Sequence, residues 1–291
     1  MTLDQLRYFR AVCKCDSVSR AAEILNISQP SVSNAISSLE REFDVALFER
    51  RRKKLILTKE GQQMLAMAEE LLGRADDLQR TMQALGSEDK ILRLGVPPMI
   101  GSLVLPALFG EEFRQYGLLL HIIEGDRTEL KGLLADGQID MAFLPHADAL
   151  GVNLRSELLT ELENVCCVSK AHPLARRKSV GLRELTEEPL VLFKNSFFQT
   201  ERILGEFARI SCNPNVLLQT AQVSTVQNMV AAGVGVGFMF AFLLKTAPDL
   251  VGIPLEPSMT TQVSLAWREN TQVSGMAEKM ARYMKKYLQE E

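Results

Sequence analysis

The strongest constraint on the fold of this chain is a pattern of predicted elements that occurs twice in its C-terminal two-thirds. In residues 91–144 and again in residues 190–239, the hydrophobic pattern predicts the order strand, helix, strand, helix, strand. The spacing of the strands is nearly the same in both copies, as marked by Leu92, Leu118 and Asp140 in the first and by Leu190, Val216 and Val236 in the second. Two such units predict parallel sheets flanked by helices, with a ligand site outside the carboxyl ends of the strands.

The chain has to cross between these two halves. Residues 162–168 are predicted as an outgoing strand, residues 262–267 as a returning strand, and residues 274–288 as a final amphipathic helix on the first half. Two α/β lobes joined by two crossings form a cleft, as in periplasmic binding proteins, and such a cleft is the default ligand site. The predicted ligand-binding domain covers residues 90–291, with lobe I at about 90–162 and 268–291 and lobe II at about 163–267.

Composition excludes several classes of protein. The 291 residues are 46% hydrophobic and 24% charged, which is ordinary for a globular protein and unlike a disordered or fibrous chain. The longest apolar run, residues 229–244, is shorter than the roughly 20 residues of a spanning helix, and the N-terminus lacks a signal-peptide pattern. The five cysteines include no Cys-x-x-Cys pair. We therefore expect a cytoplasmic protein without a membrane partner, a metal or a cofactor.

Charge is distributed unevenly along the chain. Residues 1–58 hold ten Lys and Arg against seven Asp and Glu, a net charge of +3. Because the whole chain carries −3, the part that follows residue 58 carries −6. A basic module on an acidic body is typical of a protein in which one part binds nucleic acid.

The N-terminal part of the chain predicts three short helices. The first starts near Asp4, the second follows the N-cap Ser17, and the third follows the N-cap Ser28 with Pro30 in its first turn. About three residues join the second helix to the third, which is the helix-turn-helix arrangement.

The third helix has one apolar and one polar face. Val32, Ile36 and Leu39 form the apolar stripe, and the opposite face carries short or amide side chains that can hydrogen-bond base edges. A solvated face on a small helical bundle explains this helix alone equally well. If the helix enters the major groove, the candidate DNA contacts are Gln29 and Ser33 nearest the bases, with Pro30, Ser31 and Asn34 close to the edge or backbone.

A basic hairpin is predicted after these helices. Residues 45–48 and 55–57 predict two short strands, and five consecutive cations lie between them: Arg50, Arg51, Arg52, Lys53 and Lys54. Like charges at a hairpin tip repel one another unless a polyanion neutralises them. A helix-turn-helix followed by a basic hairpin is a winged helix, and we expect this wing to contact DNA phosphates or an adjacent minor groove.

These residues closely resemble the N-terminal motifs of LysR-type transcriptional regulators. The resemblance is carried by Ser-Val-Ser-Arg-Ala-Ala-Glu at 17–23, Ile-Ser-Gln-Pro-Ser-Val-Ser at 27–33, Leu-Glu at 39–40, Leu-Phe-Glu-Arg at 47–50 and Leu-Thr-x-x-Gly at 57–61. It implies DNA binding by residues 1–58 and an effector-binding domain of periplasmic-binding-protein-like fold in residues 90–291. Asn34 departs from the family, which often has a longer side chain there.

A long linker helix is predicted between the two domains, in residues 59–89 with a hinge at 86–90. Apolar residues recur there at alternating steps of four and three, at Met64, Ala68, Leu71, Ala75, Leu78, Met82 and Leu85. A repeat of 3.5 residues favours pairing with a second helix over packing on a broad core. One long helix lying on its own domain is the alternative.

The candidate effector site lies where the first loop of each lobe runs into a helix N-terminus, which favours an anion. LysR-type regulators commonly hold a small organic acid there with hydroxyl groups, but this chain has Pro97 and Met99 where Ser or Thr is expected. The candidate contacts are Pro98, Met99, Gly101 and Ser102 in lobe I and Lys194, Ser196, Phe197, Phe198, Ser224 and Thr225 in lobe II. We expect a carboxylate with an apolar or aromatic tail, its charge held by lobe II. Alternatively, both phenylalanines pack in the lobe core and the ligand is different.

Two other patterns suggest chemistry but are explained more simply. Gly233, Gly235 and Gly237 follow a predicted helix and enter a strand, which is the reverse of a dinucleotide-binding loop. Cys166 and Cys167 fall in a predicted crossing strand and are expected to be buried, and a thiol sensor at Cys212 would need exposure and a lowered pKa.

The sequence therefore predicts a transcription regulator that is not an enzyme. Its expected partners are double-stranded promoter DNA, a small effector, a second copy of itself in a dimer or tetramer, and RNA polymerase. The alternative is a small-molecule-binding protein or enzyme with a helical module that does not bind DNA, in which the five cations would be an idle loop. A gel shift with DNA upstream of its own or the adjacent gene distinguishes the two.

Overall fold

The computed structural model describes residues 1–51, 54–84, 90–145, 153–269, 271 and 273–290. The chain folds as two compact units, one formed mainly by residues 1–84 and the other mainly by residues 90–290. None of the helices in these ranges combines the length and the apolar composition needed to cross a bilayer. The first unit contains α1 (Leu3–Cys15), α2 (Val18–Leu25), α3 (Gln29–Phe43), β1 (Phe48–Arg51), β2 (Lys54–Leu57) and α4 (Lys59–Ala84).

Side-chain caps fix where the first three helices begin. The Thr2 hydroxyl accepts the Gln5 amide and the Gln5 side chain accepts the Thr2 amide, which forms a capping box. Ser17 and Ser28 each accept an amide of the following first turn, so α2 and α3 begin where the sequence predicts. Beneath them lies a small core that includes Phe9, Val32 and Leu39 and is closed by α4.

The wing strands start later than predicted. We expected a strand at 45–48, but β1 runs from Phe48 to Arg51 and pairs antiparallel with β2, with Phe48 opposite Leu57 and Arg51 opposite Lys54. The backbone before Phe48 is held differently, because the Glu40 carboxylate accepts the amides of Leu47 (2.8 Å) and Phe48 (3.4 Å). Residues 45–47 therefore connect α3 to the wing, and the cations begin within the strand rather than only at its tip.

The start of α4 is tied to the same connection. The Thr58 hydroxyl donates to the carbonyls of Ala46 and Leu47 and accepts the amide of Gly61 at 2.9 Å. A Cβ at position 61 would lie 2.2 Å from the Leu47 carbonyl oxygen. The Leu-Thr-x-x-Gly motif is therefore a packing requirement, because only glycine lets the helix approach the backbone this closely.

The apolar positions of α4 divide into two groups. Met64, Ala68 and Leu72 pack on the core of the first unit. By contrast, the side chains of Leu71 and Leu78 are 42% and 65% exposed. The apolar seam predicted from the heptad thus begins on the core of the first unit and continues as an apolar stripe on the surface of the helix. Its last residue, Leu85, lies outside the described residues.

The second unit is built on one eight-stranded sheet. Its elements are β3 (Lys90–Val96), α5 (Pro98–Phe109), α6 (Glu111–Arg114), β4 (Leu118–Glu124), α7 (Arg127–Ala135), β5 (Met141–Pro145), β6 (Leu154–Ser169), β7 (Pro189–Phe193), α8 (Phe198–Arg209), β8 (Asn215–Thr220), α9 (Val223–Ala231), β9 (Val236–Phe240), β10 (Leu250–Arg268) and α10 (Ser274–Glu290).

The sheet confirms the two-lobed arrangement. Its strand order is β4-β3-β5-β10-β6-β9-β7-β8, so each repeat contributes three parallel strands on one side of a central antiparallel pair. That pair, β6 and β10, is the two predicted crossings. Both strands are more than twice as long as expected, because their polar outer segments continue to pair beyond the buried residues that reveal them in the sequence.

Three predicted helix starts in this unit need correction. The first helix was expected at 103–116, but α5 begins at Pro98, the Gly101 amide bonds to the Pro97 carbonyl at 2.8 Å, and the helix ends at Phe109. A proline at the first helical position needs no amide partner, so Pro98 starts the helix rather than prolonging the loop. Similarly, α8 begins at Phe198 instead of 201 and α9 at Val223 instead of 225, capped by Gln222 without a side-chain bond.

We predict that Gly61→Ala destabilises the first unit, although alanine is the better helix former by about 1 kcal/mol. The new methyl group would overlap the Leu47 carbonyl oxygen and force α4 away from the wing. Thermal unfolding followed by circular dichroism should show a lowered Tm and weakened DNA binding.

The matched control is Gly205→Ala in α8, where an added Cβ meets nothing within 4 Å. It should leave stability unchanged or raise it by up to about 1 kcal/mol. Equal effects of the two substitutions would contradict a packing role for Gly61.

Candidate functional site

The polar face of α3 is accessible along its first two turns. Gln29, Pro30, Ser31, Ser33 and Asn34 are all exposed, whereas Val32 between them is buried. The helix therefore presents the five predicted DNA contacts on its outer side, as a recognition helix requires.

Hydrogen bonds already hold part of this face. The Ser19 hydroxyl of α2 donates to Gln29 Oε1 at 3.1 Å, which leaves the Gln29 Nε2 group free to donate. The hydroxyls of Ser28 and Ser31 lie 2.7 Å apart. An amide oriented in this way can accept from adenine N6 and donate to adenine N7, because its oxygen has a second lone pair.

The predicted wing contacts fall partly inside the described residues. Arg50 and Arg51 lie in β1, and Arg51 pairs with Lys54 across the hairpin. Arg52 and Lys53 lie outside the described residues. A cationic hairpin next to a recognition helix is suited to phosphate binding, which sets position on DNA rather than sequence preference.

A cavity lies between the two lobes of the second unit. Its volume is about 30 Å³, enough for one or two water molecules. Five of the six parallel strands contribute their carboxyl ends or the loops that follow, and β10 closes the cavity. The lining residues are Pro97, Met99, Ile100, Asp126, Arg127, Pro145, Phe197, Phe198, Gln199, Phe240 and Thr261.

Three of the ten predicted effector contacts line this cavity: Met99, Phe197 and Phe198. Lys194, Ser196 and Ser224 are exposed and do not line it. The residues that line the cavity also do not include Pro98, Gly101, Ser102 and Thr225. The Thr225 hydroxyl instead donates to Gln222 Oε1 at 3.0 Å. The loop after β8 is the one carboxyl-end loop that does not reach the cavity.

The two adjacent phenylalanines have different environments. Phe197 is 9% exposed and its ring packs on Phe193, with the ring centroids 5.6 Å apart. Phe198 is half-buried, and two guanidinium groups lie over its ring, Arg127 at 5.2 Å and Arg202 at 5.9 Å from the centroid. Phe197 thus combines core packing with cavity lining, whereas Phe198 orients cations.

Asp126 and Arg127 are the charged residues of the cavity, and the sequence predicted neither. Arg127 is half-buried at the start of α7, and within the described part of the chain its guanidinium makes no hydrogen bond or ion pair. Its neighbour Asp126 accepts the amides of Thr128 (2.9 Å) and Glu129 (3.0 Å) and so caps the helix. The predicted topology did indicate this position. Because β4 is parallel to β3, the loop that follows β4 lies at the same edge of the sheet as the loop that follows β3.

A buried polar network includes two of the lining residues, Gln199 and Thr261. Asn164 Nδ2 donates to Thr261 Oγ1 at 3.0 Å and to the Met259 carbonyl at 3.2 Å. Gln199 Nε2 donates to Asn164 Oδ1 at 2.8 Å. These side chains are scattered through the sequence, so no local pattern could have brought them together.

Comparison with known proteins identifies the family. The family model described as "Bacterial regulatory helix-turn-helix protein, lysR family" matches residues 3–62 of this chain. The model described as "LysR substrate binding domain" matches residues 86–289. The chain belongs to the LysR family of transcriptional regulators. The match covers both units and assigns DNA binding to the first, which removes the alternative of a helical module without that role.

Individual relatives agree with this assignment along most of the chain. The HTH-type transcriptional regulator CysB of Burkholderia cenocepacia is 30% identical over 82% of this chain and 78% of its own length. An uncharacterized regulator of Bacillus subtilis, YybE, is 27% identical over 95% of this chain and 92% of its own. The structure of a Corynebacterium glutamicum OxyR C206 mutant is 27% identical, with a TM-score of 0.62 over 99% of this chain and 93% of its own.

The cysteines of this LysR-family chain differ in their surroundings. Burial raises the pKa of Cys166 to about 12 and that of Cys167 well above its usual value, so both thiols stay protonated and are poor nucleophiles. Their burial in β6 was predicted. Cys212 is half-buried, with its Sγ 3.8 Å from an Arg183 guanidinium nitrogen. Within the described residues, no three His, Cys, Asp or Glu side chains gather as a metal site.

We predict that Gln29→Ala reduces discrimination between a selected operator and scrambled DNA. A lost bidentate base contact should cost about 1–3 kcal/mol on the operator and little on scrambled DNA, whose binding depends on phosphates. Fluorescence anisotropy titrations with both DNAs at one salt concentration measure the difference.

Ser37→Ala on the same exposed face of α3, two turns further along, is the matched control and should change neither affinity by more than about 0.5 kcal/mol. If Gln29→Ala weakens both DNAs equally, Gln29 does not read bases.

Proposed function

We propose that this LysR-family protein is a homodimeric transcription regulator controlled by a small organic anion that binds between the lobes of its second unit. A DNA target places its action in the cytoplasm, and RNA polymerase is the partner through which a bound regulator would change transcription. The cavity would bind its ligand without transforming it.

The observation that supports a bound anion is the environment of Arg127. This half-buried guanidinium lies over the Phe198 ring and makes no ion pair within the described residues, so it has lost part of its hydration without gaining a bonded counter-charge. A ligand carboxylate would supply that charge and could form two parallel hydrogen bonds with the guanidinium. Phe198 supports this arrangement, because the guanidinium lies over its ring.

The rest of the cavity favours an apolar body on the ligand. Met99, Ile100, Phe197 and Phe240 are all buried and belong to its largely apolar wall. A volume of about 30 Å³ is smaller than any organic acid, so the ligand enters when the lobes move apart about the crossing strands β6 and β10. Ligand binding thereby changes the lobe arrangement, which is the type of motion that couples an effector to a distant domain.

A competing proposal is the one predicted from the sequence, in which the ligand carboxylate is bound by Lys194, Ser196, Ser224 and Thr225. These residues lie on lobe II, whereas Arg127 lies on lobe I, so one set of variants distinguishes the two.

We predict that Arg127→Gln removes the thermal stabilisation of the full-length protein by organic acids. Glutamine keeps a polar side chain but loses the charge, so acids that raise the wild-type Tm should no longer do so, and neutral amides of the same acids should fail with both proteins. A thermal-shift screen of carboxylic acids against neutral and cationic metabolites provides the measurement.

Ser224→Ala is the matched control and should retain the response, because Ser224 is exposed and outside the cavity. A response lost in Ser224→Ala but kept in Arg127→Gln would place the charge on lobe II. Stabilisation by uncharged or cationic compounds alone would contradict the proposal that the ligand is an anion.

The dimer is supported by the apolar surface of α4. Beside this helix runs a groove of about 590 Å³ lined by apolar side chains that include Phe43, Met67 and Leu71. Met67, Leu71 and Leu78 are exposed on the helix. An apolar stripe that continues a heptad seam past the core is expected to be covered by a second helix of the same kind.

We predict that Leu78→Lys dissociates the dimer, because the seam would then have to bury an ammonium group in each helix. Sedimentation velocity at micromolar concentration should show a monomer. Gln79→Lys adds the same charge at the neighbouring exposed position off the seam and should leave the dimer intact. A dimeric Leu78→Lys protein would place self-association elsewhere, for example in the lobes.

A further inference from the structure

One polar side-chain atom of a cavity-lining residue lacks a hydrogen-bond partner. Gln199 is 3% exposed, in the first turn of α8, and its Nε2 group donates to Asn164 Oδ1 at 2.8 Å. Its Oε1 atom is buried and has no hydrogen-bond partner among the described residues. Gln199 lines the same cavity as Arg127. A buried acceptor without a donor is costly, so it marks a position where a ligand or a water molecule completes the structure.

The surrounding network determines which atom of the amide is unpaired. Asn164 donates its two N–H groups to Thr261 Oγ1 and the Met259 carbonyl, so its Oδ1 is left as an acceptor. Turning the Gln199 amide round would set one carbonyl oxygen against another. Gln199 therefore has to present Nε2 to Asn164, and the free group is an acceptor rather than a donor.

We infer that the effector is a carboxylic acid that also carries a hydrogen-bond donor, such as a hydroxyl or an amide N–H, which donates to Gln199 Oε1. This inference rests on the proposed function, because it places the carboxylate at Arg127. Arg127 and Gln199 line the same small cavity, so one compact acid bound there would lie close to both side chains.

The same geometry disfavours acids without a donor. Such an acid displaces any water that bonds to Gln199 Oε1 and leaves that oxygen buried and unpaired, which lowers affinity relative to a hydroxy acid of the same shape. Gln199 would therefore act as a specificity-determining residue.

The test uses matched acids on the full-length protein. Calorimetric titrations compare 2-, 3- and 4-hydroxyphenylacetate with phenylacetate and with the three methoxy ethers, which keep the oxygen but lack the donor. A parallel set compares 2- and 3-hydroxybutanoate with butanoate. We expect one hydroxy acid to bind wild type about 10-fold or more tightly than its ether and its parent acid.

The variant Gln199→Met keeps the side-chain length but removes the acceptor, and it should reduce this ratio to about one while the carboxylate is still required. Gln115→Met makes the same change at an exposed glutamine outside the cavity and should keep the ratio. If Gln199→Met does not fold, the wild-type titrations still test the inference, because equal binding of a hydroxy acid, its ether and its parent acid would overturn it.

Equal binding of hydroxy acids, ethers and parent acids overturns the role of Gln199 but leaves the anion proposal standing. A preference that persists in Gln199→Met overturns it too, since the donor is then recognised elsewhere. Failure of every acid to bind overturns the anion proposal and this inference with it.

Discussion

The antiparallel pairing of β6 with β10 is the interaction on which the second unit depends. These two strands form the centre of the sheet, and the three parallel strands of each lobe extend outward from them. The two lobes extend from opposite sides of this pair. The carboxyl ends of the parallel strands of both lobes face the same space. The cavity is a consequence of this topology, and its position follows the rule for open α/β sheets applied twice.

The chemistry of the cavity follows from which chain segments arrive there. Loops after β3 and β4 bring apolar side chains and Arg127, whereas the start of α8 brings two phenylalanines and Gln199. The crossing strands add Thr261 directly and Asn164 through its bond to Gln199. A guanidinium without an ion pair and a buried acceptor without a donor therefore belong to residues that line a largely apolar space, and both would gain from one ligand that carries a carboxylate and a donor.

In the first unit a comparable role belongs to the connection between α3 and the wing. Glu40 bonds the backbone at 47 and 48, Thr58 bonds the carbonyls at 46 and 47, and Gly61 lets α4 approach them. These contacts fix the wing relative to the recognition helix. They also join α4 to the DNA-binding core, so that the exposed seam of α4 would set the spacing between two recognition helices in a dimer.

Local rules were sufficient wherever the determining atoms are close in the sequence. The helix starts at Ser17 and Ser28 follow from caps three residues away, and the buried stripe of α3 follows from helical periodicity. The repeat of strands and helices in residues 91–239 predicted two lobes, because each strand is an apolar run long enough to be recognised by itself. The family resemblance came from motifs of the same short range.

Other features depend on contacts that the hydrophobic pattern does not show. The start of α5 depends on a nearby proline that reads as a loop signal, and the late start of β1 depends on Glu40, which bonds the amides of Leu47 and Phe48. The length of β6 depends on pairing with residues of β10 that lie far along the chain, so only the tertiary structure decided it. Arg127 and Gln199 are ordinary in sequence, since exposed arginines and glutamines are common on helices. The sequence thus determined the elements, the lobes and the family, whereas the polar groups of the cavity acquired their roles from burial and missing partners, which exist only after the lobes have packed.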